Sequence, residues 1–304
     1  MAVAITGSLA TAAHAAPSTS ELTKKIEAAS NQLEDVTENY NKMRINLQKT
    51  IADEKKLAAS LAPAQAALKT ASARVGTLAA TTYKQGRVGP MTALLTGGQD
   101  DLVDKISYLD QITRSNQRDI DAYTEATQNF SSRQAALKAT QAKQQAQVTA
   151  LATQKTGIEK DIKKLMAMRT QAYGQAQETP TKYNGPVPTI AGSAGKAVSF
   201  AYAQLGEAYV FGADGPSTWD CSGLTMGAWA AAGKSLPHNT EAQWSATTRI
   251  SKSELQPGDL VFYRSLGHVA IYVGDGMIIH APHTGTVVKK VSINVMTPYG
   301  YGRV

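Results

Sequence analysis

Two long series of apolar residues at seven-residue spacing occupy the first half of the chain. One series runs from Leu22 to Leu78 on two parallel tracks, and the other runs from Leu102 to Leu165. Apolar residues at heptad positions a and d form the seam of a coiled coil. Helix-breaking residues separate the two series: Gly86, Gly89, Pro90, Gly97 and Gly98. The sequence therefore predicts an all-α antiparallel coiled-coil hairpin over residues 18–178, and self-association through the same seam stays open.

The composition changes after this hairpin. Residues 177–193 contain three prolines and no heptad pattern, which predicts a Pro/Gly linker over residues 179–193. The remaining part, residues 194–304, opens with a helical pattern. Four β-rich runs follow, at 259–263, 268–273, 277–281 and 287–293. Helices followed by a small antiparallel sheet predict a separate α+β domain, so we expect a multidomain protein.

The N-terminal residues and the charge distribution bear on location. Residues 1–16 are small and apolar and end in an A-x-A pattern, which predicts a secretory signal peptide whose basic start is missing. An Ala-rich tail is the alternative.

Residues 1–183 hold 23 Lys and Arg against 17 Asp and Glu, whereas residues 184–304 hold 8 against 7. This excess suits weak attraction to a polyanion such as an acidic cell-wall polymer, or an ordinary solvated helical surface. We expect an exported protein without a membrane span.

Cys221 is the only cysteine in 304 residues, so an exported chain leaves it without a disulfide partner. Asp220 is a good N-cap, and the following residues predict a helix with Cys221 in its first turn. A majority of thiolate at neutral pH needs a pKa lowered by about 2 units, or about 2.7 kcal/mol. A helix terminus contributes only roughly 0.3–1 kcal/mol to this lowering of the thiol pKa. We therefore expect a cationic partner for the thiol, and imidazolium is the usual one.

His268 begins a predicted strand, and two further histidines follow the next turn. A two-residue turn at 275–276 would place His268 opposite His283, whereas a three-residue loop at 274–276 would place it diagonal to His280. The spacing alone leaves both histidines open as the group that orients His268. A zinc site made from Cys221, His268 and His280 is disfavoured, because no pair of these residues has close metal-ligand spacing.

Six consecutive motifs in residues 194–304 resemble those of the NlpC-type cell-wall cysteine peptidases. They are YVFG at 209–212, DCSGL at 220–224, LP at 236–237, QPGDLVF at 256–262, GHVAIYVG at 267–274 and IHA at 279–281. The order and spacings are similar to those of the family. The resemblance implies a papain-like α+β domain that hydrolyses peptidoglycan stem peptides and needs no cofactor or metal.

The resemblance also implies roles for single residues. The nucleophile corresponds to Cys221, the general base to His268 and the orienting residue to His280, so that His283 becomes a bystander. Tyr209 corresponds to a tyrosine that assists the oxyanion and the substrate. Asp220 and Ser222 correspond to positions that line the pocket for the free amino end of the stem peptide. One departure is LPHNT at 236–240, where many members have LPRTS.

The implied function is that of a secreted, wall-associated D,L-endopeptidase that cleaves after γ-D-glutamyl in wall remodelling or daughter-cell separation. Coiled-coil members of the family are generally restrained until a membrane-bound division or wall-remodelling complex engages them. We therefore expect residues 18–178 to restrain or target the enzyme, and we expect no nucleic-acid partner. Two alternatives stay open: an adaptor with an inert peptidase domain, and an amidase or acyl transferase on the same fold.

Overall fold

A computed structural model of the protein describes residues 18–85 and 102–304. Two long helices occupy the first part: α1 (Thr19–Gln85) and α2 (Leu102–Tyr173). The predicted signal peptide at residues 1–16 and the glycines predicted to reverse the hairpin lie outside the described residues. No helix in the described ranges combines the length and the apolar character needed to cross a bilayer.

The two helices run antiparallel. Within residues 46–149, Gln141 Nε2 donates to Glu54 Oε1 at 3.1 Å, and Arg74 Nη1 lies 3.9 Å from Asp119 Oδ1. The partner number on α2 therefore falls as the number on α1 rises. This pairing confirms the predicted helical hairpin.

The chain forms two compact units, one of residues 46–149 and one of the described residues up to 45 together with 150–304. In the second unit, heptad residues of both helices bury one another: Leu22, Ile26, Leu33, Ile158 and Leu165. Phe211 packs against this cluster, and its ring centroid lies 5.0 Å from that of Tyr40. The base of the hairpin therefore packs with the α+β domain. The boundary at 179–193 stays a prediction.

The α+β domain contains three helices and eight strands. The helices are α3 (Gly192–Ala203), α4 (Cys221–Ala231) and α5 (Thr240–Ala246). A short parallel pair consists of β1 (Ala208–Tyr209) and β2 (Thr218–Trp219). The main sheet consists of β3 (Thr248–Ile250), β4 (Leu260–Tyr263), β5 (His268–Gly274), β6 (Met277–His280), β7 (Lys289–Ser292) and β8 (Pro298–Arg303). It is antiparallel, in the order β3-β8-β4-β5-β6-β7.

The four predicted β-rich runs become β4 to β7. All four residues of β4 are buried, which agrees with a central strand whose sequence is almost entirely apolar. Strand β8 escaped prediction because its sequence, PYGYGR, contains two glycines. Gly300 has no room for a side chain, since a Cβ would lie 2.6 Å from Cη2 of Trp244. The indole of Trp244 therefore takes the place of a side chain at this point of the sheet.

The hairpin between β5 and β6 combines features of both predicted loops. Gly274 pairs with Met277, so Asp275 and Gly276 form a two-residue turn, with φ values of 52° and 67°. The register then shifts by one residue, and Tyr272 pairs with Ile278. This β-bulge gives the strands the register that a three-residue loop would have given. His268 and His280 consequently lie on the same side of the sheet.

Candidate active site

The N-terminus of α4 carries the single cysteine. Asp220 is the N-cap, and its carboxylate accepts a hydrogen bond from the backbone N–H of Gly223 at 2.7 Å. Cys221 is the first residue of the helix and is fully buried. The predicted position of the thiol in the first helical turn is confirmed. The side chain of Ser222, the next residue, is buried beside it.

Strands β5 and β6 bring two histidines together. His268 Nε2 lies 2.9 Å from His280 Nδ1, with the two ring planes nearly perpendicular. His283, by contrast, uses its Nδ1 on the carbonyl of Thr284 at 2.9 Å. The structure therefore pairs His268 with His280, as the β-bulge requires.

The imidazole of His268 lies beside the thiol. One of its ring nitrogens, Cys221 Sγ and a carboxylate oxygen of Glu34 all lie within 4.8 Å of one another. Because Nε2 is used by His280, Nδ1 is the ring atom left to exchange a proton with the thiol. The structure thus brings together the three predicted catalytic residues.

Glu34 of α1 occupies this position. One carboxylate oxygen is hydrogen-bonded to His268 Nδ1, and the other accepts from the guanidinium of Arg264. Only 4% of Glu34 is exposed. The ring nitrogen that would accept the thiol proton is therefore already engaged by a side chain of α1.

Glu38, one turn further along α1, covers the thiol itself. Its Oε1 accepts from Ser222 Oγ at 2.7 Å and from Cys221 Sγ at 3.4 Å. Its Oε2 accepts from the backbone N–H of Thr240 at 2.5 Å and from the amide of Asn239 at 2.8 Å. Four donors of the α+β domain thus converge on one carboxylate.

Asn41 completes the row. Its Nδ2 donates to Asp220 Oδ2 at 2.9 Å, on the carboxylate that also contacts His238 Nε2 at 2.8 Å. Positions 34, 38 and 41 are spaced i, i+4 and i+7 and therefore share one side of the helix. We call Glu34, Glu38 and Asn41 the docked face of α1. It covers the thiol, the imidazole and the N-cap carboxylate together.

Burial and charge set the protonation of this arrangement. Burial, reinforced by Glu38 and Glu34, raises the pKa of the Cys221 thiol well above its usual value. Burial, reinforced by Arg264, lowers the pKa of His268 to about 3. Burial also raises the pKa of Glu34 to about 8 and that of Glu38 to about 7. Thiol and imidazole are consequently both uncharged at neutral pH while α1 is docked.

The other predicted site residue, Tyr209, lies in β1 and is 3% exposed. Burial, followed by the charges of Cys221 and Glu34, raises its pKa well above the usual range. The phenol is therefore neutral. Its role toward an oxyanion stays a prediction.

The donor atoms of Glu34, Cys221 and His268 are close enough to share a divalent cation. Their types are among those that zinc accepts. The guanidinium of Arg264 on the same carboxylate opposes a further positive charge there. The arrangement is better described as a thiol and an imidazole with a carboxylate close to both.

The docked face did not emerge from the sequence. Its only signal is the helical spacing of polar residues beside the apolar seam: Ser30, Glu34, Thr37, Glu38 and Asn41, all of them buried. The same spacing is typical of an ordinary hydrated helix face. Arg264 was likewise missed, because a single arginine before a strand carries no pattern.

Comparison with known proteins identifies the α+β domain. Residues 206–302 match the NlpC/P60 family. This part of the chain is an NlpC/P60 domain. It is 38% identical to a solved structure, the NlpC/p60 domain of the peptidoglycan hydrolase SagA, over 36% of this chain and 98% of that one, with a TM-score of 0.35.

Several relatives are named as probable endopeptidases. Probable endopeptidase p60 of Listeria monocytogenes is 44% identical over 112 residues, which are 35% of this chain and 23% of that protein. A probable endopeptidase of Corynebacterium glutamicum is 38% identical, over 40% of this chain and 62% of its own length. A probable endopeptidase of Mycobacterium bovis is 26% identical, over 90% and 86%. The chain spans about a quarter of the length of the Listeria relative.

Proposed function

We propose that the protein is an exported cysteine endopeptidase that hydrolyses peptidoglycan stem peptides after γ-D-glutamyl. The observation that carries this proposal is the hydrogen bond between His268 and His280 beside the buried Cys221 thiol. Cys221 would act as the nucleophile, His268 as the base and His280 as the orienting group, all within an NlpC/P60 domain. Relatives that are named probable endopeptidases support peptide-bond hydrolysis as the reaction class.

In the proposed reaction, Cys221 Sγ attacks the γ-carbonyl carbon of the glutamyl residue, and the thiol proton passes to His268 Nδ1. The carbonyl oxygen becomes an oxyanion, for which the backbone N–H of Cys221 at the helix N-terminus is a donor. His268 then protonates the leaving amine, and the C–N bond breaks to give a thioester. Water, deprotonated by His268, hydrolyses the thioester and restores the thiol. No cofactor is needed.

The pocket beside the thiol suits the amino end of a short peptide. Asp220 is fully buried, and one of its oxygens accepts a hydrogen bond from the Asn41 amide of α1. A substrate ammonium group would take the position of this amide. We assign Asp220 and Ser222 to this end of the substrate and Tyr209 to the oxyanion side, as the family resemblance implies.

We further propose that α1 holds the enzyme inactive. The docked face occupies the thiol, the imidazole and the Asp220 carboxylate, so a stem peptide and α1 cannot occupy the site together. Ionisation of the thiol is also disfavoured while Glu38 and Glu34 lie beside it. Activity therefore requires that residues 34–41 leave the cleft. A membrane-bound wall-remodelling complex that engages the coiled coil is the partner we expect to cause this.

The decisive experiment uses the full chain and the variant Glu38→Ala on purified sacculi, with mass spectrometry of the released fragments. We expect little release by the unaltered chain, and release by the variant of fragments that begin at the third stem residue. Fragments cut at another bond would indicate an amidase. Fragments joined to an added amine would indicate an acyl transferase. No release by either protein, with Cys221 readily alkylated in the variant, would favour the inert adaptor.

A further inference from the structure

Arg264 is a cation beside the catalytic imidazole whose role the proposed reaction does not explain. It lies between β4 and β5, four residues before His268, and its side chain is 17% exposed. The guanidinium donates to the carboxylate of Glu34, to the carboxylate of Asp35 and to the carbonyl of Asn31. Within the described residues, all of these acceptors belong to α1. Among the described residues, the carboxylates that pair with this arginine thus come from α1 and not from the NlpC/P60 domain.

The backbone holds Arg264 in an unusual conformation. Arg264, Ser265 and Leu266 have φ values of 49°, 51° and 74°, so three successive residues other than glycine are left-handed. This region of φ is disfavoured for residues that carry a Cβ. The guanidinium lies close to Gly267, where a Cβ would lie 3.5 Å from Arg264 Nη2. The arginine is thus directed toward the cleft rather than into solvent.

Departure of α1 removes all three acceptors of this guanidinium. The cation is then open to another anion beside His268. Arginine binds carboxylates in a bidentate manner, which makes a carboxylate the fitting replacement. The closed structure already shows such a pairing, because Glu34 presents its carboxylate to Arg264 beside His268.

We propose that Arg264 recognises a carboxylate of the stem peptide close to the scissile amide, and that Glu34 occupies this carboxylate site while α1 is docked. The inference rests on the proposed function. In a γ-glutamyl bond the free α-carboxylate lies about 5 Å from the scissile carbonyl carbon, given single bonds of about 1.5 Å. A substrate carboxylate would bind the guanidinium alone, so that His268 Nδ1 stays available for the thiol proton. Arg264 is then a specificity-determining residue for substrates with a free carboxylate.

The carboxylate could belong to the γ-glutamyl residue or to the residue on the amine side of the scissile bond, and synthetic peptides distinguish the two. One pair carries the γ-glutamyl residue with either a free or an amidated α-carboxyl group. A second pair has the free or amidated carboxyl group on the residue at the amine side of the scissile bond. Each pair is cleaved by the full chain carrying Glu38→Ala, alone and combined with Arg264→Ala or Arg264→Lys. Lys252→Ala, which removes an exposed cation of the same domain, is the matched control.

We expect the Glu38→Ala protein to cleave the acid of one pair at least 10-fold better than its amide, judged by kcat/KM. Arg264→Ala should bring this ratio close to 1 by raising KM for the acid, whereas Arg264→Lys should keep part of it. The ratio compares two substrates of one protein, so the fraction of molecules with α1 released cancels. A ratio unchanged by Arg264→Ala in both pairs would show that Arg264 serves only to hold α1.

A binding measurement keeps this test separate from the proposed function. The full chain with Glu38→Ala and Cys221→Ala is titrated by calorimetry with the free-acid peptides and their amides. We expect at least a 10-fold weaker Kd for one acid when Arg264→Ala is added, and little change for its amide. If the Glu38→Ala protein cleaves no peptide while the binding protein still prefers an acid over its amide, the peptidase proposal is refuted but the carboxylate site is not. Equal binding of acids and amides with Arg264 present would overturn the carboxylate site.

Discussion

The carboxylate of Glu34 is hydrogen-bonded to Nδ1 of His268, the ring nitrogen that is not in contact with His280. His280 holds the other ring nitrogen of His268 at 2.9 Å. Both ring nitrogens of His268 are therefore engaged while α1 is docked. In the proposed reaction, departure of α1 would free Nδ1 and leave the contact with His280 in place.

The first prediction concerns Glu38, which accepts four hydrogen bonds from the α+β domain. Glu38→Ala leaves these donors without their acceptor in the closed state, which costs on the order of 2–4 kcal/mol. The ratio of open to closed molecules should then rise by about 30- to 1000-fold. Alkylation of Cys221 by iodoacetamide at pH 7 should accelerate accordingly, as measured by mass spectrometry.

Glu125→Ala is the control for this experiment, since Glu125 is an exposed glutamate of α2 within residues 46–149. Its alkylation rate should equal that of the unaltered chain. Equal rates in the Glu38→Ala protein as well would show that α1 does not protect the thiol in solution.

The second prediction is a pH dependence of release. Docking raises the pKa of Glu34 to about 8 and that of Glu38 to about 7 from a value of 4.5, chiefly through burial. The docked state therefore binds more protons than the released state between these values. Docking lowers the pKa of His268 from 6.5 to about 3, which acts in the opposite sense below pH 6.5. Between pH 6.5 and 8 the two carboxyl groups dominate, so docking loses stability and release should increase with pH.

The measurement compares the unaltered chain with the double variant Glu34→Ala, Glu38→Ala at each pH. The ratio of their alkylation rates removes the titration of the thiol itself. This ratio should rise toward 1 between pH 6.5 and 8, by up to 10-fold per pH unit for each titrating carboxyl group. A ratio that falls with pH would mean that the docked carboxyl groups are ionised throughout.

Features of the fold that depend on local sequence were accessible to prediction. The N-cap Asp220 and the helical pattern after it place Cys221 at the start of α4. Heptad residues such as Leu33 and Ile158 are buried where the two helices meet. Apolar runs also identified the strands β4 to β7. In each case, neighbours in the sequence determine the local structure.

Features that depend on distant residues were not accessible. The docked face contacts residues about 180 to 230 positions away, and a row of polar side chains on a helix does not reveal what will cover it. The β5-β6 register was ambiguous because a bulge, whose position periodicity does not encode, shifts it by one residue. A glycine-rich strand such as β8 forms only because its neighbours β3 and β4 pair with it.

The third prediction concerns the nucleophile. Cys221→Ala in the Glu38→Ala protein should abolish cleavage of stem peptides, because no other thiol exists in the chain. The change removes one buried sulfur at a helix end, so we expect a loss of stability of about 1 kcal/mol. Thermal unfolding measures this loss, and mass spectrometry of the digest measures the activity. Cleavage that persists in this variant would exclude a cysteine mechanism.

The last prediction separates His280 from His283 as the partner of His268. His280 Nδ1 lies 2.9 Å from His268 Nε2, whereas His283 contacts a backbone carbonyl in its own loop. In the Glu38→Ala protein, His280→Ala should lower kcat by about 10- to 100-fold, because the imidazole loses its orienting hydrogen bond. His283→Ala should leave kcat within a factor of about 2, and His280→Asn should restore part of the loss. An effect of His283→Ala as large as that of His280→Ala would mean that the active enzyme rearranges the loop after β6 once α1 has left.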